Sequence, residues 1–372
     1  MTPRVIVCCG SGGVGKTTTS AAMALGLALR GKRVAVLTID PARRLADSLS
    51  VGPLSNDPQR VPLDGLSGAP GGHLDAMMLD MKSTWDGVVE RFAPSPKARQ
   101  RILDNRYYQL ASTRLAGSHE YMAMQRLLEL YESREWDIIL LDTPPTRHAM
   151  EFLSAPQRMA GLFDEGVMHW LSLPRNTRGF KALERGSEMV TSILKRLIGA
   201  GTMGDIAEFF DAMQDLWGGF QERSQAVDAL LGSEETRFLL VTTPAPAARA
   251  EAQEFADLLA DTQRPFGGFV VNRVVPVPPH NAQIAAASLP DPPADMAPQA
   301  WEAATAALLQ AFSTQQALVD GERGALEALQ NQAHGPVGLW PVPELAEDVH
   351  DLAALTRLAH HLAPALDALL AP

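Results

Sequence analysis

The sequence predicts a doubly wound α/β fold, a mostly parallel sheet interrupted by a helical insertion, and three observations carry that prediction. A short β-branched run, Arg4 to Cys9, ends in a glycine-rich loop; helix-forming residues follow from Thr17 to Arg30, Gly31 stops them, and Arg33 to Ile39 reads as a second strand. Strand, loop, helix and strand in that order make a βαβ unit, which requires parallel pairing. Further apolar runs lie at Ala76–Leu79, Ile138–Leu141, Phe238–Val241, Phe269–Val271 and Val337–Leu339. Most are continuous rather than alternating, as in strands covered on both faces, and helical stretches separate them.

The third observation is a gap. Between Ala155 and Ser233 the strand signal disappears, and Ile206, Phe209, Phe210, Met213, Leu216, Trp217 and Phe220 fall at helical spacing. Met189, Val190, Ile193, Leu194, Leu197 and Ile198 form a second stripe, preceded by Leu162, Phe163, Val167, Met168, Trp170 and Leu171. The chain therefore divides into a first core segment, 1–154, a helical insertion, 155–233, and a second core segment, 234–372. Pro276 to Pro298 reads as an irregular connection around one short helix, and Glu344 to Leu370 as an Ala/Leu-rich terminal helix.

Bulk properties bound the function. The 372 residues are 46% hydrophobic and 20% charged, an ordinary globular balance with ample core. A net charge of −11 argues against a nucleic-acid binder, which shows a basic footprint; Arg43-Arg44 and Lys97 to Arg101 are the local exceptions, and such clusters are more often simply solvated faces. The two cysteines, Cys8 and Cys9, are strand neighbours that point to opposite faces, so they form no disulfide with each other. Without a C-x-x-C pair a cysteine-built zinc site has no ligands, so no zinc is expected. No signal peptide and no transmembrane run is visible, and the expected location is cytoplasmic.

The residues that carry chemistry begin with the loop Gly10-Ser11-Gly12-Gly13-Val14-Gly15-Lys16-Thr17, continuing into Thr18. This is G-x-x-x-x-G-K-T between a strand and a helix, and it predicts a P-loop NTPase. Glycines let backbone N–H groups converge on phosphates, Lys16 reaches the β/γ oxygens, and the Thr17 hydroxyl holds Mg²⁺. The helix that follows aims its positive dipole end at the same anion. Asp142 ends the run Ile138-Ile139-Leu140-Leu141 and is followed by Thr143-Pro144-Pro145. An acidic residue there is where P-loop enzymes place a Mg²⁺-linked carboxylate, although an N-cap or turn role also fits. Asp40 ends the second strand before Pro41; it can orient a water at the γ-phosphate, or simply open an Asp-Pro turn.

With those residues assembled, the chain resembles the ArsA-type ATPases, which include the arsenite-pump ATPase and the eukaryotic ATPase that targets tail-anchored membrane proteins. CCGSGGVGKTTTS resembles the family's phosphate loop and LTIDPARRL its first switch; LAGSHEYMAM stands where the family has P-G-x-D-E, and DTPPTRHAMEFL resembles its second switch. The resemblance implies that Asp40 with Pro41 is the water-orienting switch and Asp142 the Walker-B-type residue. It also implies that Thr143, Pro144, Thr146 and His148 sense the γ-phosphate. Asn272 would then read adenine with the loop of Pro341 and Pro343 packed on the base, though an Asn ending a strand is also a common turn residue.

Two departures matter. The family's first loop lysine, which reaches the partner's nucleotide across a dimer, is Ser11 here, and Arg147 replaces the usual glycine of the second switch. The resemblance implies ATP and Mg²⁺ as cofactors and a dimer, with itself or an ArsA-like paralogue, gated by the γ-phosphate. It further implies an apolar client on the insertion, where Met159, Met168, Met189, Met203 and Met213 suit an adaptable surface, while packed core remains the competing reading. A thiol-triggered arsenite pump lacks its cysteines. A lipid-binding terminal helix lacks its cations, having only Arg357, His360 and His361. The rival function is a weakly active regulatory half of a heterodimer, motivated by Ser11.

Overall fold

The computed structural model describes residues 4–68, 71–106, 108–109, 112, 118–145, 217–277, 291–293, 296–332 and 337–371. Its strands are β1 (Arg4–Gly10), β2 (Arg33–Thr38), β3 (Gln59–Arg60), β4 (His73–Met78), β5 (Ile138–Asp142), β6 (Thr236–Thr242), β7 (Phe266–Val274) and β8 (Gly338–Pro343). They form one sheet in the order β3-β4-β2-β5-β1-β6-β7-β8. Every pair is parallel except β3 with β4, so the expected doubly wound sheet is present. All seven apolar runs fall in strands; β3, whose Gln59 and Arg60 carry no apolar pattern, is the strand that the sequence does not announce.

The apolar strands are continuous because each face of the sheet has its own helical layer. Val5, Val7 and Cys9 of β1, with Ala35, Leu37, Ile139 and Leu141, point into one core. That core is closed by α3 (Met81–Phe92), α5 (Ser118–Ser133), α6 (Trp217–Leu231), α7 (Pro246–Asp261) and the buried end of α8 (Pro298–Gln332). Ile6 and Cys8, with Val34, Val36, Ile138 and Leu140, point into the other. It is closed by α1 (Lys16–Leu29), α2 (Arg44–Ser48), α9 (Leu352–His361) and α10 (Ala363–Leu370). The period-two alternation of side chains divides the two cysteines between these layers, as expected. Each fully buried aliphatic side chain contributes about 1.5–3 kcal/mol, so both layers are needed to hold the sheet edge that carries the site.

Local signals set the helix ends. Asp80 starts α3 by accepting from the Ser83 N–H at 2.6 Å, and Ser95 starts α4 (Pro96–Leu103) by accepting from Ala98 at 3.1 Å. The single terminal helix expected over Glu344–Leu370 is corrected: α9 begins only at Leu352, capped by Asp351, and the chain breaks at Leu362 before α10. Pro364 lacks the N–H that would bond His360, and its ring meets that carbonyl, so one helix becomes two. The expected insertion lies outside the described residues except from Trp217 on, where α6 runs back to β6. The irregular connection lies mostly outside them too. Pro298 begins the 35-residue α8, which separates β7 from β8.

Candidate nucleotide-binding site

Doubly wound sheets gather ligands at the carboxyl ends of their strands, where the chain changes direction across the sheet. Here β1 delivers Gly10 and the phosphate loop, β2 delivers Asp40, β5 delivers Asp142, and β7 and β8 deliver Asn272 with Pro341 and Pro343. All lie on that one edge.

The loop is shaped by glycines that have no substitutes. Gly15 sits at φ 94°, in the left-handed region, and caps α1 without any side-chain bond. A Cβ there would lie 2.4 Å from Asn272 Nδ2, and a Cβ on Gly10 would lie 2.1 Å from the Val241 carbonyl oxygen. Ser11 is half-buried, Gly12 and Gly13 are exposed, and Val14 is buried, so the loop opens to solvent at its glycines while its base is packed. Lys16 is buried and donates from Nζ to the Ser11 carbonyl oxygen at 2.9 Å. Burial lowers its proton affinity, and Asp142, Cys9 and Asp40 pull it back up. An ammonium folded onto its own loop in this way is a strong donor that an arriving anion can take over.

Asp142 is the centre of a small network. Thr17 Oγ1 donates to its Oδ2 at 2.8 Å and Thr38 Oγ1 to the same oxygen at 2.9 Å. The carboxyl is wholly buried, and burial pushes its pKa up to about 6 against the opposing pull of the two hydroxyls and Lys16. Its other oxygen, Oδ1, is buried without a hydrogen-bond partner among the described residues. An unpartnered carboxylate oxygen beside a threonine hydroxyl is a hard-oxygen donor set of the kind Mg²⁺ takes while keeping several waters, so the residues fit that ion. Among the described residues no group of three His, Cys, Asp or Glu side chains is arranged to hold a metal ion by itself. A P-loop magnesium site needs none, since phosphates and water complete its shell.

Asp40 is partly exposed. Its Oδ1 accepts from the Ala42 N–H at 2.9 Å, and its Oδ2 pairs with Arg44 Nη1 at 3.3 Å. Pro41 beside it is exposed, and Thr18 is half-buried in the first turn of α1. Thr143 is buried and donates to the Cys8 carbonyl oxygen at 2.8 Å, which ties the end of β5 to β1. Pro144 is half-buried next to it; Thr146, Arg147 and His148 lie outside the described residues.

Asn272 does something the sequence does not reveal. A bulge between Val271 and Val274 puts Arg273 at φ 59°, and Asn272 Oδ1 accepts from the Arg273 N–H at 3.0 Å. The bulge turns the amide to the loop, where Nδ2 donates to the Val14 carbonyl oxygen at 2.9 Å. Pro341 stands opposite Val271 and Pro343 opposite Val274, one on each side of that bulge, so these residues lie on the strand beside Asn272. Thr38 and Arg44, both within the LTIDPARRL run, join the site as well: Thr38 bonds Asp142 on the neighbouring strand, and Arg44 pairs with Asp40 four residues before it.

A G-x-x-x-x-G-K-T loop leading a helix at the carboxyl edge of this sheet, with a buried Asp on the Lys-Thr pair, defines a P-loop NTPase. The family model described as anion-transporting ATPase matches residues 3–288, and the chain belongs to that ArsA ATPase family. It is 28% identical over 286 residues to the putative arsenical pump-driving ATPase 1 of Aquifex aeolicus, covering 73% of this chain and 64% of that protein. It is 30% identical over 151 residues to ATPase GET3 of Malassezia globosa, 41% of this chain and 42% of the relative. With an ATPase ASNA1 homolog of Entamoeba histolytica it shares 23% over 279 residues, 72% of this chain and 75% of that one. The chain thus spans less than two thirds of the first two relatives. No helix among the described residues is long and apolar enough to cross a membrane.

Proposed function

We propose that this chain is a Mg²⁺-dependent ATPase that works as a nucleotide-gated dimer, with itself or an ArsA-like paralogue, and couples hydrolysis to handling an apolar client. The observation that carries the reading is the Lys16, Thr17 and Asp142 constellation at the start of α1. Membership of the ATPase family and relatives named as an arsenical pump-driving ATPase and GET3 support it.

In this reading the backbone N–H groups from Ser11 to Thr17 and the α1 terminus cradle the phosphates, and Lys16 exchanges the Ser11 carbonyl for β/γ oxygens. Thr17 and the unpartnered Asp142 oxygen would hold Mg²⁺, which when bound neutralises developing phosphate charge; Asp142 acts through water. Asp40 orients the attacking water. Asn272 and the Pro341–Pro343 strand flank the base, the amide also holding the Val14 turn of the loop. Residues 1–154 and 234–372 make the ATPase core, and 155–233 the client-side insertion that follows the second switch.

Ser11 favours a second reading, a nucleotide-binding regulatory subunit completed by a Lys-bearing paralogue. Steady-state hydrolysis by the purified chain decides between them. Turnover that falls by about two orders of magnitude or more in Asp40→Asn supports the enzyme, the size expected for loss of a catalytic group. ATP binding without turnover, restored by a paralogue, supports the subunit. ATP binding that persists in Lys16→Ala would sink both. Light scattering with and without a non-hydrolysable ATP analogue tests the gated dimer.

A further inference from the structure

The missing loop lysine poses a chemical problem. Hydrolysis forms a bond from the water oxygen to the γ-phosphorus while the bond to the β,γ-bridging oxygen breaks, its electron pair leaving on ADP. Negative charge spreads over the transferring group and the bridging oxygen, and P-loop enzymes stabilise it with a cation beyond the loop lysine, often an arginine. At Ser11 the chain offers only a hydroxyl, without charge or reach.

The first switch holds a cation in a suggestive arrangement. Asp40 has one oxygen committed to the Ala42 N–H, so its remaining oxygen is the one free to accept from a water. That oxygen is the one paired with Arg44 Nη1, at 3.3 Å. The Arg44 side chain is 70% exposed and Asp40 26%. Exposed pairs at this spacing are weak, and the guanidinium has four further N–H donors for a second oxyanion. The neighbouring Arg43 is exposed and enters no such pair among the described ion pairs.

We propose that Arg44 is the γ-phosphate cation of this enzyme, acting within its own subunit: it leaves Asp40 for the phosphate when ATP binds, and so supplies the charge that Ser11 lacks while uncovering the Asp40 oxygen for water. The water proton then passes to Asp40 and on to solvent, leaving ADP and phosphate. This rests on the P-loop ATPase reading above. It makes the first switch a charge exchange, carboxylate for phosphate, in which the Arg44 pair covers the base until the exchange.

The test compares Arg44→Ala, Arg44→Lys, Arg43→Ala, Asp40→Asn and Lys16→Ala in the full chain. It measures kcat and the affinities for ADP, a non-hydrolysable ATP analogue and ADP with aluminium fluoride. Arg44→Ala is expected to lower kcat about a hundredfold or more and to weaken both γ-phosphate mimics at least tenfold, with ADP held within threefold. Arg44→Lys recovers part of the mimic affinity, and Arg43→Ala matches the wild type. Asp40→Asn loses kcat but keeps mimic affinity. Unchanged mimic affinity in Arg44→Ala overturns the proposal, whether kcat is kept or lost, since Arg44 would then act only through Asp40 or not at all. Failure of the underlying reading looks different, as ATP binding that Lys16→Ala does not disturb. If the wild type binds without turning over, the affinity arms still decide.

Discussion

Replacing Asp142 by Asn separates what the site needs for chemistry from what the fold needs for stability. In the nucleotide-free, Mg²⁺-free protein the carboxyl is wholly buried and its pKa is pushed up to about 6 by desolvation, from 3.8. A folded state that holds its proton more tightly than the unfolded chain is most stable below the unfolded value and loses that stability as pH rises through the folded one. The window therefore runs from about pH 4 to about pH 6, and at 1.36 kcal/mol for each pH unit the loss approaches ~3 kcal/mol by pH 7. Asn cannot ionise, so it escapes this loss. Its carbonyl oxygen keeps the Thr17 and Thr38 hydroxyls, and its amide takes the unpartnered position at a cost of about 1–3 kcal/mol. Urea unfolding with chelator present, run from pH 4 to pH 7.5, should show the wild type losing ~3 kcal/mol relative to Asp142→Asn across the window. At neutral pH the variant should be no less stable than the wild type, yet inactive. Curves that stay parallel, or a wild type that gains on the variant as pH rises, would refute the desolvated carboxylate and the reasoning built on it.

Three smaller predictions follow from the same geometry. Gly15→Ala should cost about 1–2 kcal/mol for the left-handed backbone alone and displace Asn272, read as a lower melting temperature and lost ADP binding by calorimetry. Asn272→Ala removes one neutral hydrogen bond to Val14, so nucleotide affinity should fall several-fold, about 0.5–1.5 kcal/mol, with little change in kcat under saturation. Asp75→Ala strands the Trp136 indole N–H, which bonds Asp75 Oδ2 at 2.9 Å in the core; it should destabilise by about 1–3 kcal/mol and shift the tryptophan emission, leaving the ATPase assay unmoved at low temperature.

What could be read from the chain divides by the range of the interactions. The phosphate loop, α1 and the strands were legible because each is fixed within a few residues, by glycine geometry, helix propensity or a run of β-branched side chains. Asp142 ends the run Ile138-Ile139-Leu140-Leu141, where an N-cap or turn role fits as well, and it is the phosphate loop elsewhere in the chain that favours the carboxylate reading. The rest needed the fold. Asn272 bonds a loop residue 258 positions away, and no pattern around it encodes the bulge that aims it there. Thr38 stands in the first-switch run, but its bond to Asp142 forms only where β5 lies beside β2. Arg44 reads as a solvated charge because its meaning is the partner it holds. The break at Leu362 is a different kind of miss, since Pro364 announced it and the Ala/Leu composition outweighed it.

The two adjacent thiols of the central strand have a practical consequence. Cys8 and Cys9 are buried on opposite faces of β1, and burial pushes both pKa values up to about 12. At pH 8 only roughly one thiol in ten thousand is ionised, so a disulfide reagent finds almost no nucleophile until β1 is exposed. Each thiol answers to a different helical layer. Labelling rates at Cys8→Ser and Cys9→Ser would therefore clock the opening of one layer at a time. ATP, held by the loop that β1 feeds, should slow both clocks together if the loop and the sheet open as one unit.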